Sequence, residues 1–412
     1  MRAGNIIEEL RRTITRLLPK RSTCQLFTGH LGGGKSTELL RLKSKLEQDK
    51  YHVIYFDISK VVNMDDVDVS EILLAVTSAV SENLRSIDID LRPPYLAQLF
   101  DEIKSILKMD LNVEVDYQWG MFKLTSQAKG SKQIRDRVRQ YLEPRTSNIL
   151  ETINEAVLQP AIQKLQEEKG KPGLVVILDG LDRIDNDRRL PLGRTLAEHL
   201  FIDRGEQLCG LHCHLVYTIP LGLVYSNNKP FLIDRLGGGL APRVLPIVSV
   251  QLRNGDDCQE GISLLKQLVL ARAFPEVEEE KRLELMGEVF DSPETLDRLC
   301  RISGGHVRTL VRMLFSCLRK KEQLPLSRDC LESVIVSELY SSILGITSEE
   351  WWDKLFRVAE QNNMVVDIEY QKMLHSLYIL EYWDQKGGWF DINPLLKETE
   401  IFKSWQQHKM RG

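Results

Sequence analysis

Gly29-His30-Leu31-Gly32-Gly33-Gly34-Lys35-Ser36 decides the fold of this chain. The stretch fits G-x-x-x-x-G-K-S/T, the phosphate-binding loop or P-loop. Before it, Cys24-Gln25-Leu26-Phe27-Thr28 is largely apolar and reads as a strand. After it, Ser36 to Leu46 carries apolar residues at helical spacing. A strand, a glycine turn and a helix start together aim several backbone N–H groups and a helix N-terminus at one point, which is a geometry for polyphosphate. Side chains at Gly32, Gly33 and Gly34 would hold phosphate off the backbone. Lys35 is placed to put its ammonium on the β- and γ-phosphates and Ser36 to ligate Mg²⁺ through its hydroxyl. Gly29, Gly32, Gly33, Gly34, Lys35, Ser36 and Thr37 are therefore the candidate nucleotide-binding residues of the loop.

The chain has 412 residues, 42% hydrophobic and 28% charged, with a formal net charge of −4. That length predicts two or three domains, and that charge argues against a global attraction to nucleic acid or anionic membrane. No apolar run is long enough to span a bilayer, and Met1-Arg2-Ala3-Gly4-Asn5 lacks the apolar core of a signal peptide. Seven scattered cysteines form no disulfide framework. A reduced, cytoplasmic protein without a membrane role is expected. Cys209-Gly210-Leu211-His212-Cys213-His214 crowds zinc-type ligands into six residues that lead into an apolar run, and reads as the entry to a buried strand.

Leu174-Val175-Val176-Ile177-Leu178-Asp179 is an apolar run ending in a carboxylate, the pattern of a central parallel strand. An acid at the end of such a strand suits Mg²⁺ beside a P-loop, which makes Asp179 the second candidate metal residue with Ser36. Val53 to Ile58, Leu215 to Pro220 and Arg243 to Val250 read as further strands, and Glu71 to Leu84 as a helix. Strands alternating with helices predict an α/β, three-layer parallel-sheet core.

Asp179-Gly180-Leu181-Asp182-Arg183 resembles the STAND and AAA+ branch of P-loop ATPases, which includes NACHT-like signalling ATPases and Orc/Cdc6-like initiators. In the NACHT form the Mg²⁺ Asp is followed by a small residue, an apolar residue and one or two acids. Here Arg183 stands where a second acid is common, and Gly180 stands where AAA+ proteins place a catalytic Glu. The resemblance then implies Asp182 as the residue that orients or deprotonates the attacking water. It implies Thr218 at the sensor-1 position and Arg235, or else Arg243, as an arginine finger reaching a neighbouring subunit. Ser303-Gly304-Gly305-His306-Val307-Arg308 is similar to a sensor-2 segment, with Arg308 reaching the phosphates and His306 facing the nucleotide.

The resemblance also implies an architecture: a P-loop core over 1–250, a helical lid over 251–330 and a winged helix over 331–412. Residues 88–150 read as an insertion between core strands. Within it, Leu111 to Leu124 alternates like a hairpin, and Lys132, Arg135, Arg137 and Arg139 line a basic helix. Helices are expected over Leu264 to Phe274 and over Leu296 to Cys317, and an amphipathic one over Ile6 to Leu18. In the winged helix, Tyr370 to Trp383 reads as a helix leading into a strand, Lys386-Gly387-Gly388-Trp389 as the turn and Phe390 to Leu396 as the return. Residues 331–412 hold 8 Lys and Arg against 13 Asp and Glu, which favours a structural or partner-binding wing over a DNA-reading one.

The function implied is an ATP- and Mg²⁺-dependent molecular switch that changes conformation or oligomerises to control a separate effector protein. Prokaryotic signalling or anti-phage defence suits that design by family analogy. A DNA-binding initiator or loader ATPase is the alternative, and a chain that holds ATP structurally is the third reading.

Overall fold

The computed structural model describes residues 4–91, 93–111, 132–184, 190, 193–320, 323–343 and 348–411. They fall into two compact units, one of residues 4–28 and 36–244, the other of residues 29–35 and 245–411.

The first unit is built on a sheet of order β2-β3-β4-β1-β5. Its strands are β1 (Thr23–Gly29), β2 (His52–Asp57), β3 (Leu174–Asp179), β4 (His214–Thr218) and β5 (Arg243–Leu245). β1, β2, β3 and β4 run parallel, with Phe27 beside Thr218 and Asp57 beside Asp179. Every residue of β1, β3 and β4 is buried, as strands covered on both faces require. Alternation sorts the two faces. Leu26, Ile54, Val176, Leu178, Leu215 and Tyr217 belong to one large apolar cluster, while Phe27, Val175, Ile177 and Val216 are buried without joining it. Helix α1 (Gly4–Arg12) lies on the second face, where its Leu10 carbonyl accepts from the Gln25 amide at 3.1 Å. This is the α/β core expected of the P-loop, whose helix α2 (Lys35–Gln48) follows β1 directly. The strand expected over 243–250 stops at Leu245, because Pro246 has no N–H to continue a ladder.

The segment 88–150 is mainly helical from Pro94 onward where it is described. It holds α4 (Pro94–Leu111), α5 (Lys132–Leu142) and α6 (Thr146–Ile153). Leu96, Leu99, Val138, Leu142 and Ile149 join the same apolar cluster as the sheet, so the segment is part of the core. The expected hairpin falls on residues 112–124, outside the described residues, apart from Leu111, which ends α4. The basic helix does form, but two of its arginines turn inward. Arg139 donates to the Asp66 carboxylate at 3.1 Å and to the Asp66 carbonyl at 2.6 Å, and Arg135 lies 3.6 Å from the same carboxylate. Neither is a free contact for an anionic partner.

The second unit is mainly helical after the loop. Helices α9 (Gln259–Ala273), α10 (Pro293–Ile302), α11 (Val307–Lys320) and α12 (Arg328–Ile343) enclose a core that includes Leu265, Leu299, Met313 and Ile335. In the first unit, α7 (Gln159–Lys169) precedes β3 and α8 (Lys229–Arg235) precedes β5. Helices α13 (Glu349–Gln361) and α14 (Ile368–His375) lead to the antiparallel hairpin of β6 (Ile379–Asp384) and β7 (Gly387–Ile392), and α15 (Glu400–Arg411) closes the chain. The hairpin turn is Gln385-Lys386, tighter than the sequence reading, and Trp389 is a buried strand residue whose ring lies 4.9 Å from that of Tyr382, tilted by 34°.

Helix α3 (Val69–Arg85) starts at a capping box. Asp68 accepts from the Val69 amide at 2.7 Å, and Glu71 accepts from the Asp68 amide at 3.2 Å. Burial pushes the Glu71 carboxyl up to about 7, while the guanidinium of Arg139 opposes the shift and Asp68 and Asp66 add to it. A carboxyl that holds its proton more tightly in the fold than in the unfolded chain stabilises most below its ordinary value near 4.5. That contribution is lost as pH rises through about 7. Between about pH 5 and about pH 8 the thermal midpoint of the native protein should fall relative to that of Glu71→Gln, which stays neutral throughout. Parallel midpoint curves for the two proteins would remove Glu71 as the source.

Candidate functional site

Asp179, at the carboxyl end of β3, is 2% exposed. A carboxylate so buried needs donors. Its Oδ1 accepts from the Gly180 amide at 2.8 Å and its Oδ2 from the Tyr55 hydroxyl at 2.7 Å. The Ser36 hydroxyl lies against the same phenol. Burial, then the hydrogen bond to Asp179, raises the Tyr55 proton affinity well above its ordinary value, so the phenol stays a donor. Asp179 thus holds the Tyr55 phenol, and Ser36 is near enough to that phenol to lower its proton affinity. Sequence reasoning passed over this tyrosine, whose only trace is a polar-tipped aromatic near the end of an apolar strand.

The turn after Asp179 is constrained at every residue. Gly180 has φ +91°, and a Cβ there would stand 2.3 Å from the Asp57 Oδ1. Asp57 cannot easily yield, because the same oxygen accepts from the Ser59 amide at 3.1 Å and the Ser59 hydroxyl at 2.6 Å. A glutamate after Asp179 would meet that carboxylate and the left-handed backbone together. Arg183 turns back to donate to the Ser59 hydroxyl at 2.8 Å and lies 3.5 Å from the Asp57 carboxylate. Thr218 is fully buried, accepts from the Leu181 amide at 3.1 Å and donates to the Leu178 carbonyl at 3.4 Å. Its hydroxyl therefore pins the turn that carries Asp182, which is itself 7% exposed.

The P-loop residues 29–35 fold with the second unit. The Lys35 ammonium donates to the carbonyls of Gly29 and His30 at 2.8 and 2.9 Å. His306 donates through Nε2 to the Leu31 carbonyl at 2.7 Å, while its Nδ1 accepts from the Thr309 amide at 3.3 Å. The Arg308 amide donates to the Gly32 carbonyl at 3.3 Å. Gly32, at φ +83°, has the Arg308 side chain where a Cβ would go, with Nε at 2.6 Å. The structure therefore brings His306 and Arg308 to the loop. Gly34 differs from Gly32: its φ is +99°, yet nothing lies within 4 Å of its Cβ position. That open side, at the N-terminus of α2, fits an incoming phosphate. Thr37 is exposed one residue beyond Ser36.

The two candidate fingers are engaged within their own chain. Arg235 donates to the Ile202 carbonyl at 3.4 Å and lies 5.7 Å from the Phe231 ring centroid, and Arg243 pairs with Glu9 at 3.2 Å. Among the described residues no group of three or more His, Cys, Asp or Glu side chains is arranged to hold a metal ion. Cys213 in the cysteine–histidine cluster is buried, and burial pushes its thiol up to about 12. Ser36 and Asp179 are hard oxygen donors and fit Mg²⁺ held jointly with phosphate. No helix among the described residues is long and apolar enough to cross a membrane.

No family model and no curated protein matches the chain. Among solved structures it is similar to the ORC2 protein of Aeropyrum pernix in ADPNP–ADP complexes, at 14% identity over 100% of this chain and 95% of that chain, with a TM-score of 0.38. It is similar to a Walker-type ATPase of Pyrococcus abyssi, at 13% identity over 94% and 93% of the two chains, with a TM-score of 0.41. It is also similar to the RuvB Holliday junction branch migration motor of Thermotoga maritima, at 12% identity over 98% and 94%, with a TM-score of 0.36. Scores this low assign the chain to none of the three; the fold stands on its own strand order and loop.

Gly180 and Gly34 should respond differently to the same substitution. Gly180→Ala meets both the left-handed backbone and the Asp57 carboxylate, and should lose about 1–3 kcal/mol of unfolding free energy. Gly34→Ala meets the backbone strain alone and should lose about 1–2 kcal/mol, the smaller of the two. Denaturant titrations of both variants measure the difference; equal losses would show that Asp57 gives way freely.

Proposed function

We propose that the chain is a P-loop ATPase that binds Mg·ATP and acts as a molecular switch. The observation that carries this reading is the buried Asp179 carboxylate at the end of β3, held by the Tyr55 hydroxyl at 2.7 Å. A hydroxyl from the first turn of α2 and a carboxylate from the end of β3 are the donor pair that Mg²⁺ with bound phosphate requires. When bound, Mg²⁺ would be held by Ser36 and Asp179 and would neutralise charge that develops on the phosphate. Lys35 would exchange its two carbonyl acceptors for phosphate oxygens. Gly29, Gly32, Gly33 and Gly34 would supply backbone N–H groups, and Thr37 would sit at the edge of the phosphate site. Asp182 would orient the attacking water, Thr218 would hold the turn that carries it, and Arg308 would reach the phosphates from α11. Arg235 would act in a neighbouring subunit, giving up one long hydrogen bond to do so.

In this reading residues 251–330 are the lid and residues 331–412, with their helices and hairpin, are a winged helix. Nucleotide alters their arrangement or the oligomeric state, and a separate effector protein reads the result. The basic helix α5 offers the DNA-binding alternative at most half of its charge, since Arg135 and Arg139 are turned onto Asp66.

Phosphate release from Mg·ATP at several protein concentrations tests the switch. Specific activity should climb with concentration, as sites completed between subunits require; constant activity would remove Arg235 from the site. Lys35→Ala should weaken Mg·ATP binding by about 10- to 100-fold, the worth of a charge-assisted hydrogen bond. Unchanged binding by that variant would sink the reading.

A further inference from the structure

His30 occupies the position after the first glycine of the loop, where nothing in phosphate binding calls for an imidazole. It is 3% exposed, and its backbone and ring face different partners. The backbone carbonyl accepts from the Lys35 ammonium at 2.9 Å and from the Gly33 amide at 3.0 Å. The ring Nε2 accepts from the Glu381 amide at 3.1 Å. An amide can only donate, so Nε2 carries no proton.

Glu381 lies on β6, opposite Phe390 of β7. Both of its backbone groups point away from the hairpin: the N–H to His30, and the carbonyl to the Ile247 amide at 3.3 Å. The outer edge of β6 is thus closed by a loop side chain rather than by another strand. The flanking residues hold the glycine turn before α11. The Tyr382 hydroxyl donates to the Gly304 carbonyl at 2.9 Å, and the Leu380 side chain fills the space beside Gly304. The Trp383 indole N–H donates to the Glu381 Oε1 at 2.8 Å, and this indole is 48% exposed.

We propose that His30 is a positioning residue that relays phosphate occupancy of the P-loop to the hairpin β6–β7. This rests on the reading of the loop as a nucleotide site. The Lys35 ammonium has three N–H groups and spends two on loop carbonyls, so a hold on both the β- and γ-phosphates takes one of them back, and phosphate competes with the His30 carbonyl for its donor. Without that donor the His30 carbonyl keeps the Gly33 amide, the peptide is held more loosely, and the ring leaves the Glu381 N–H. The ligand thereby favours one of two hydrogen-bonding arrangements, which a population shift requires. Trp383, tied to the Glu381 carboxylate, reports the change.

The test uses the full chain with Mg·AMPPNP as the probe, binding being measured by calorimetry. The Trp383 signal is the emission difference between the native protein and Trp383→Phe, and it should change saturably with the nucleotide. His30→Ala should bind AMPPNP within about threefold of native yet lose the Trp383 response, and His30→Gln, whose amide oxygen can accept from Glu381, should regain it. Hydrogen exchange on the native protein needs no variant: the β6 peptide that contains the Glu381 amide should exchange at least about tenfold faster with AMPPNP bound. A full Trp383 response in His30→Ala, or unchanged exchange in β6 with AMPPNP bound, overturns the relay and leaves the nucleotide site standing. Failure of the native protein to bind AMPPNP overturns both.

Discussion

A glycine-rich loop exposes carbonyl oxygens that have no place in a helix or a strand, and a buried carbonyl must find a donor. In this chain the carbonyls of Gly29, His30, Leu31 and Gly32 are all met, by Lys35, His306 and the Arg308 amide. Two of the donors are side chains and one is the first turn of a helix more than 270 residues away in sequence. Half of these carbonyls, those of Leu31 and Gly32, are therefore held by residues distant from the loop in sequence, and the glycine turn at 303–305 sets where those donors stand. Gly305 shows how tight this is: a Cβ there would lie 1.7 Å from the Val248 carbonyl.

The first unit solves the opposite problem, which is how to keep carboxylates at the ends of buried strands. Asp57 and Asp179 are register partners on adjacent strands, so their charges stand side by side. Each is satisfied by donors from its own turn, Ser59 for Asp57 and Gly180 for Asp179. Arg183 beside Asp57 and the Tyr55 phenol on Asp179 complete the arrangement. Desolvation of an acid is tolerable when its hydrogen bonds are complete. Here each acid takes its first donors from a short local turn, and a partner from the neighbouring strand or its turn adds to them.

Much of this could be read from the sequence, for identifiable reasons. The loop was legible because glycine positions and a lysine at fixed spacing have few other uses, and β3 because an unbroken apolar run ending in an acid is rare outside a buried strand. What stayed hidden depends on register or on long separations. Tyr55 matters only because parallel pairing sets β2 beside β3. Arg135 and Arg139 look like an offered basic face until Asp66, some seventy residues earlier, is found beneath them. Thr218 reads as a residue that faces a ligand, and its hydroxyl instead meets the Leu181 amide, a partner no local pattern announces. The end of β5 was written in Pro246, yet the apolar residues around it outweighed one missing N–H.

The fit between Gly180 and Asp57 also governs how the chain can change. A glutamate at position 180 would collide with the Asp57 carboxylate and would have to adopt a backbone at φ +91° that L side chains rarely take. Shortening Asp57 alone removes the acceptor that orders Ser59 and leaves Arg183 without its acid. Each substitution is costly by itself, and only the pair, together with a rebuilt turn, opens a route to an acid next to Asp179. Positions 57 and 180 are therefore coupled: each limits the side chain that the other can carry.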